Sequence, residues 1–205
     1  NMPTIDTELR SDGIFVIKLY SFSANSINLF KNAITKFKES KSNKLLLDLR
    51  GNPGGYLNAA IDMASWFLPK GKPVVIEDSG TGEEQKIFRS KGYELLNKKL
   101  ANLKFVILID GGSASASEIL AGAMQDHKVA KVVGVQSFGK GSVQEVVKMD
   151  KGTLLKITVA KWLTPNGVSI SEKGLTPDYV VEASAKDSEN KKDPIMEKGI
   201  ELLNK

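Results

Sequence analysis

The sequence contains no cysteine and a single histidine, His127, among its 205 residues. The absence of cysteine excludes disulfide bonds and thiolate chemistry, and a lone histidine argues against a conventional zinc site. Any reaction carried out by this chain must therefore rely on serine, lysine, aspartate, glutamate or tyrosine side chains.

Long apolar stretches and runs of like charge are also missing. No stretch approaches the roughly 18 apolar residues that a membrane-spanning helix needs, and no charged leader with an apolar core opens the sequence. The formal charge of +5 is spread over 29 basic and 24 acidic residues, which is typical of a solvated surface and not of a nucleic-acid interface. With 41% hydrophobic residues, the chain is predicted to form one globular domain, alone or with a small appendage.

Short apolar runs alternate with segments of helical periodicity through the first two thirds of the chain. Strands are predicted at 13–21, 44–49, 73–77, 104–109 and 131–135, and helices at 25–41, 57–67 and 115–125. Because strands alternate with helices, the pattern predicts right-handed crossovers and a mostly parallel sheet.

The remaining segments have a different character. Residues 142–148 and 153–161 alternate between apolar and polar, which predicts antiparallel strands, and 85–89 is a possible hairpin return. The other expectations are an extended lead-in at 3–10, a lysine-rich helix at 93–100, a polar loop at 187–193 and a short amphipathic helix at 195–203.

Two strand-to-helix junctions carry residues suited to chemistry. In parallel α/β folds, reactive groups gather at the carboxyl ends of strands, where helix N-termini also point. At the first junction Gly54 and Gly55 form a tight turn or offer free backbone N–H groups to an oxyanion. At the second, Ser115 is either a nucleophile near the positive end of a helix dipole or, like Ser113, a helix cap.

A nucleophilic serine needs a base, and the histidine is badly placed to supply it. His127 lies twelve positions after Ser115 on the same predicted helix, so a rise of about 1.5 Å per residue separates them by roughly 18 Å. A lysine can act instead if desolvation favours its neutral form. Lys140 best fits that requirement, because Phe138 precedes it, glycines flank it and a buried strand lies nearby.

The segment 134–140 also matches the G-x-x-x-x-G-K pattern of a phosphate-binding loop. Gly141 stands where such loops carry the serine or threonine that holds magnesium. In addition, the residues that follow alternate like a strand, whereas a phosphate-binding loop must open a helix. The pattern therefore does not predict a nucleotide site.

Five segments together resemble the C-terminal processing, or tail-specific, peptidases. These segments are LLLDLRGNPGG (45–55), GGSASASEILAGAMQD (111–126), GVQSFGKGSVQ (134–144), ITVAKWLTPNGVSI (157–170) and GLTPDYVVE (174–182). The resemblance runs from about Gly13 to Val181. It implies that Ser115 is the nucleophile, Lys140 the general base and Gln144 an assistant to that lysine. It also implies an oxyanion hole made by the backbone N–H of Ala116 and that of Gly54 or Gly55.

The same resemblance implies a fold and a set of partners. The expected fold is α/β, a ClpP/crotonase-like core with a mostly parallel sheet, plus a small, partly antiparallel β region from the chain ends. Residues 13–182 would form the peptidase core, 1–12 a lead-in from an upstream region, and 183–205 a loop and a helix packed on the core. Protein or peptide substrates are expected, with no metal or other cofactor. Family members usually carry a PDZ domain before this core and work outside the cytoplasm.

Two other functions remain open at this stage. A catalytically idle module on the same fold would capture peptides or apolar ligands without cleaving them. A crotonase-type acyl-CoA enzyme would use the oxyanion glycines but would leave Ser115 and Lys140 without a role.

Overall fold

The computed structural model describes residues 3–80, 82–93, 102–148 and 154–205, which form two β-sheets and five helices. The strands are β1 (Ile5–Leu9), β2 (Ile14–Leu19), β3 (Lys44–Asp48), β4 (Pro73–Asp78), β5 (Lys86–Arg89), β6 (Lys104–Ile109), β7 (Lys131–Gly134), β8 (Ser142–Lys148), β9 (Leu154–Leu163) and β10 (Tyr179–Val180). The helices are α1 (Ser26–Glu39), α2 (Leu57–Ala64), α3 (Ala116–Asp126), α4 (Ala185–Glu189) and α5 (Pro194–Asn204).

The larger sheet has six strands in the order β1-β2-β3-β6-β7-β10. All neighbouring pairs are parallel except β1 with β2. Its central strands are apolar on both faces because both faces are covered. Leu45 and Leu47 pack in the cluster that includes residues of α1, α2 and α3, whereas Leu46 packs with residues of α5.

The smaller sheet is antiparallel, with the order β5-β4-β9-β8. The predicted fold class, a mostly parallel α/β core with a separate antiparallel β region, is confirmed. The antiparallel strands, however, come from 73–89 and 142–163, in the middle of the chain and not from its ends. The loop after β7 therefore leads directly from the larger sheet into the smaller one.

Two local predictions are corrected by the structure. The expected lead-in at 3–10 contains strand β1, which pairs with β2 from Ile5 to Leu9. The expected loop at 187–193 overlaps helix α4, because Ser184 and Asp187 exchange backbone-to-side-chain hydrogen bonds of 2.9 and 3.2 Å that stabilise its first turn. Most of the helix predicted at 93–100 lies outside the described residues.

None of the described helices combines the length and the apolar character needed to cross a bilayer.

Candidate active site

Two loops meet at the carboxyl edge of the larger sheet, one after β3 and one after β6. The carboxylate of Asp110 accepts hydrogen bonds from the backbone N–H groups of Gly51, at 2.8 Å, and Gly112, at 2.9 Å. Asn52, fully buried in the first loop, accepts a bond from Ala114 N of the second at 3.0 Å. These contacts fix the glycine-rich first loop against the serine-rich second loop.

Ser115 is the residue that caps α3, and its backbone has φ 55° and ψ −114°. L-residues rarely adopt this conformation, and non-glycine residues held in such regions store strain that clusters at functional sites. A sharp strand-to-helix turn of this kind exposes a serine hydroxyl at the edge of a sheet. Gly54 fits beside it because a Cβ there would lie 2.5 Å from Ala114 O and 2.9 Å from Ser115 Cβ.

The three serines of this turn differ in burial and bonding. The hydroxyl of Ser113 donates to Leu49 O at 2.8 Å, and that of Ser117 donates to Asn52 O at 3.0 Å. Both residues are fully buried, so their hydroxyls serve to join the two loops. Ser115 is partly exposed and is the serine of this turn that a substrate can reach.

Two backbone N–H groups near Ser115 are candidates for an oxyanion hole. Gly54 N already donates to Asn52 Oδ1 at 2.9 Å. Within the part of the chain that the structure describes, Gly55 N and Ala116 N donate to no protein atom; Ala116 N is one of the unpaired N–H groups that begin a helix. The free pair is thus Ala116 with Gly55, and Gly54 provides the close approach between them and Ser115.

Lys140 lies in the loop that joins β7 to β8, and Gln144 lies four residues further on, in β8. Both residues are exposed, so the sequence-based expectation of a desolvated Lys140 is not met in the free protein. No hydrogen bond joins the side chains of Ser115 and Lys140, or of Lys140 and Gln144, among the residues described. The backbone of the loop nevertheless reaches the serine turn, since Phe138 N donates to Ser113 O at 3.0 Å.

Glu118, a residue to which the sequence analysis gave no role, connects the two halves of the site. Its side chain is 1% exposed. One carboxylate oxygen, Oε2, accepts from Ser115 N at 2.7 Å and from Lys140 N at 3.1 Å. The serine and lysine backbones are therefore bound to the same atom. The available sequence signal was the spacing Ser115-x-x-Glu118, which is typical of a capping box at a helix N-terminus.

Two alternatives from the sequence find no support in this geometry. His127 caps the far end of α3, and its Nε2 lies 2.7 Å from Pro73 O, so the histidine stands a full helix away from Ser115. The residues after Lys140 form strand β8 and not the helix of a phosphate-binding loop. Across the described ranges, no three acidic or histidine side chains come together as a metal site would require.

Arg50 ties the first loop to the C-terminal helix. It bonds to Asp48 through Nε at 2.9 Å and Nη2 at 2.8 Å, and its Nη1 bonds to Asp193, the N-cap of α5, at 2.8 Å. Burial opposes the charged form of Arg50, but the hydrogen bonds to the two carboxylates outweigh it and raise the pKa of the guanidinium. Arg50 thereby attaches the loop that carries Gly54 and Gly55 to the end of β3 and to the start of α5.

Comparison with known sequences places this site in context. The sequence profile of Peptidase family S41 matches residues 13–181. Probable CtpA-like serine proteases of Staphylococcus haemolyticus and of Staphylococcus aureus strain N315 are 41% and 40% identical over 169 and 167 residues. Each match covers 82% of this chain but 33% of the relative. The chain thus spans about a third of the length of these curated relatives.

Solved structures give the same fold. The photosystem II D1 C-terminal processing protease superposes with a TM-score of 0.78 at 28% identity, covering 89% of this chain and 49% of that one. A putative peptidase from Parabacteroides merdae reaches 0.79 at 20% identity, covering 98% and 64%. Mature CPAF reaches 0.68 at 14% identity, covering 98% of this chain and 54% of that one. The last two likenesses support the fold alone.

Proposed function

Because the chain belongs to peptidase family S41, we propose that it is a serine endopeptidase with Ser115 as nucleophile and Lys140 as general base. The observation that carries the proposal is that the backbone N–H groups of these two residues donate to the same carboxylate oxygen. Ser115 is the partly exposed serine at a strained helix cap, and Glu118 Oε2 binds its amide together with that of Lys140.

In the proposed reaction, neutral Nζ of Lys140 takes the proton of Ser115 Oγ as Oγ forms a bond to the peptide carbonyl carbon. The N–H groups of Ala116 and Gly55 donate to the resulting oxyanion. The C–N bond then breaks, and the leaving amine takes the proton from Lys140. Water, activated by the same lysine, hydrolyses the acyl-enzyme and regenerates Ser115.

Because Lys140 is exposed in the free protein, we infer that the bound substrate supplies the desolvation that the lysine needs. A lysine acts as a base only in its neutral form, which removal of water favours. A peptide lying between the two loops would cover Lys140 and supply that desolvation. Gln144, which follows on β8, would then orient the amine by a hydrogen bond once the peptide covers both side chains.

The substrate class follows from the relatives. One structural neighbour is described as a C-terminal processing protease, and from it we infer cleavage near the C-terminal end of protein substrates. The names of the relatives are consistent with action outside the cytoplasm. Since the matches cover only 33% of these relatives, an upstream PDZ domain that captures substrates belongs to the proposal.

The first test is cleavage of casein by the parent chain, Ser115→Ala and Lys140→Ala, followed by mass spectrometry. We expect cleavage by the parent only, because each variant lacks one of the two side chains that the proposed reaction requires. Fragments confined to the C-terminal region would support the substrate class.

Full activity of Lys140→Ala would contradict the lysine base. The absence of cleavage by all three proteins, combined with peptide binding by the parent, would favour the idle binding module. Hydrolysis of an acyl-CoA thioester that survives Ser115→Ala would favour the crotonase-type enzyme.

A further inference from the structure

The carboxylate of Glu118 is a buried junction between the serine turn and the lysine loop. In addition to the two bonds at Oε2, its Oε1 accepts from Ser137 Oγ at 2.6 Å and from Gly139 N at 2.7 Å. We propose that Glu118 is a positioning residue that holds the Lys140 loop in register with Ser115, so that the two move as one unit. This inference rests on the proposed function.

The arrangement requires a carboxylate and no other side chain. Three of the four donors are backbone N–H groups, and a carboxylate offers acceptors only, on two oxygens. A glutamine in the same place has one acceptor oxygen and an NH₂ group, and the NH₂ group would face N–H donors. At 1% exposure water cannot replace a lost partner, and buried donors without partners are costly.

The lysine loop is held on two sides, by the segment 162–175 and by the serine turn. On the first side, Glu172 N donates to Gly139 O at 2.9 Å and Trp162 N donates to Gly141 O at 2.6 Å. Lys140 is flanked by glycines. A Cβ at Gly141 would lie 2.4 Å from Ser171 N, so the loop backbone approaches Ser171 more closely than a residue with a side chain would allow. The Phe138 N–Ser113 O bond holds the beginning of the loop. Glu118 holds its later part, at Gly139 and Lys140, where the base is carried.

A double-mutant cycle tests whether Glu118 acts through Lys140. The parent, Glu118→Gln, Lys140→Ala and the double variant are reacted with a fluorophosphonate, and the rate of Ser115 modification is measured per folded molecule. We expect Glu118→Gln alone to slow modification about 100-fold, the scale that a misplacement of about 1 Å produces. If Glu118 acts through Lys140, the loss of rate in the double variant should be at least about tenfold smaller than the product of the losses in the two single variants.

Asp62→Asn provides a matched control. Asp62 is also a buried carboxylate, 6% exposed, but its partners are Lys91 and Tyr93, in the segment after β5. The control should lose stability while modifying Ser115 at the parent rate. If Glu118→Gln does not fold, Ser137→Ala takes its place, because it removes one donor to the carboxylate and leaves the carboxylate itself. We then expect the same non-additivity with Lys140→Ala, with a smaller loss in the rate of Ser115 modification.

Amide hydrogen exchange separates this inference from the proposed function. The amides of Gly139 and Lys140 should exchange about tenfold faster in Glu118→Gln than in the parent, in line with one lost hydrogen bond, and should be unchanged in Asp62→Asn. Additive losses in the cycle, or modification within about threefold of the parent, would overturn the inference. If the parent itself is not modified at Ser115, the proposed function fails, and exchange alone decides: faster exchange supports the junction and unchanged exchange refutes it.

Discussion

Ser115 occupies a backbone conformation that is far better suited to glycine than to serine. Its φ of 55° with ψ of −114° places Cβ against the neighbouring peptide groups, at a price of order 1–3 kcal/mol for a residue with a side chain. The strain persists because Glu118, Gly54 and the buried serines on either side determine the shape of the turn. The proposed reaction requires a serine hydroxyl at this position, whereas stability would favour glycine.

This conflict predicts the relative stability of two inactive variants. Ser115→Gly should be more stable than Ser115→Ala by about 1 kcal/mol, because glycine adopts the observed φ without strain whereas alanine retains the Cβ. Urea denaturation followed by circular dichroism measures the difference. Equal midpoints for the two variants would show that the turn is not strained in solution.

At the residue scale, the sequence offered candidates for the reacting groups but did not predict how they are placed. Small residues around Ser115 and glycines around Lys140 were visible as local patterns. The exposure of Lys140 was not, because it depends on how the loop after β7 lies against residues far away in the chain, such as Ser171 and Glu172. The role of Glu118 was hidden for the same reason, since two of its donors, Gly139 and Lys140, are more than twenty positions away.

At the scale of single elements, α2 is held by a polar cluster formed by Asp62, Lys91 and Tyr93. Asp62 accepts from Tyr93 Oη at 2.5 Å and from Lys91 Nζ at 2.9 Å, and the Tyr93 ring packs 4.8 Å from that of Trp66. The hydrogen bond to Asp62 raises the pKa of Lys91, and burial followed by the same carboxylate raises the pKa of Tyr93. The cluster thus joins the segment after β5 to the helix that follows the glycine loop.

These shifts predict a loss of stability at alkaline pH. Both groups have folded-state pKa values above their unfolded values, so the stabilisation is complete below the unfolded pKa values of about 10 and is lost as pH rises through the folded ones. The difference in unfolding free energy between the parent and Asp62→Asn should therefore stay constant up to about pH 10 and shrink above it. Urea titrations at several pH values measure it, and a difference that stays constant would exclude the ionic contribution.

The sequence predicted most of the elements because their signals are local. The strands of the larger sheet are continuous apolar runs, and α1, α3 and α5 have regular apolar spacing. Helix α4 was missed because its five residues, AKDSE, show no apolar periodicity. Its first turn depends on the reciprocal bonds of Ser184 and Asp187. Strand β1 was missed because its pairing with β2 is set by tertiary structure and leaves three of its five residues exposed.

At the scale of the whole molecule, the site is divided between the two sheets. Ser115 and the proposed oxyanion donors lie at the carboxyl edge of the larger sheet. Gln144 lies on β8 of the smaller sheet, and Lys140 lies in the segment between them. The alternation of strands and helices predicted the first sheet. The partners of the second could not be read from the sequence, because β4 and β9 are paired across more than eighty residues.

Strand β8 lies at the edge of its sheet and is paired on one side, with β9, and Val146 on it is 55% exposed. Such a strand opens at a lower free energy than the doubly covered centre of the larger sheet. The enzyme should therefore lose activity through local unfolding of β8 before it unfolds globally. In a urea titration we expect peptidase activity to fall at a lower concentration than the far-ultraviolet signal; coincident transitions would contradict this. The proposed activity would then end with the melting of one pair of strands while the rest of the fold survives.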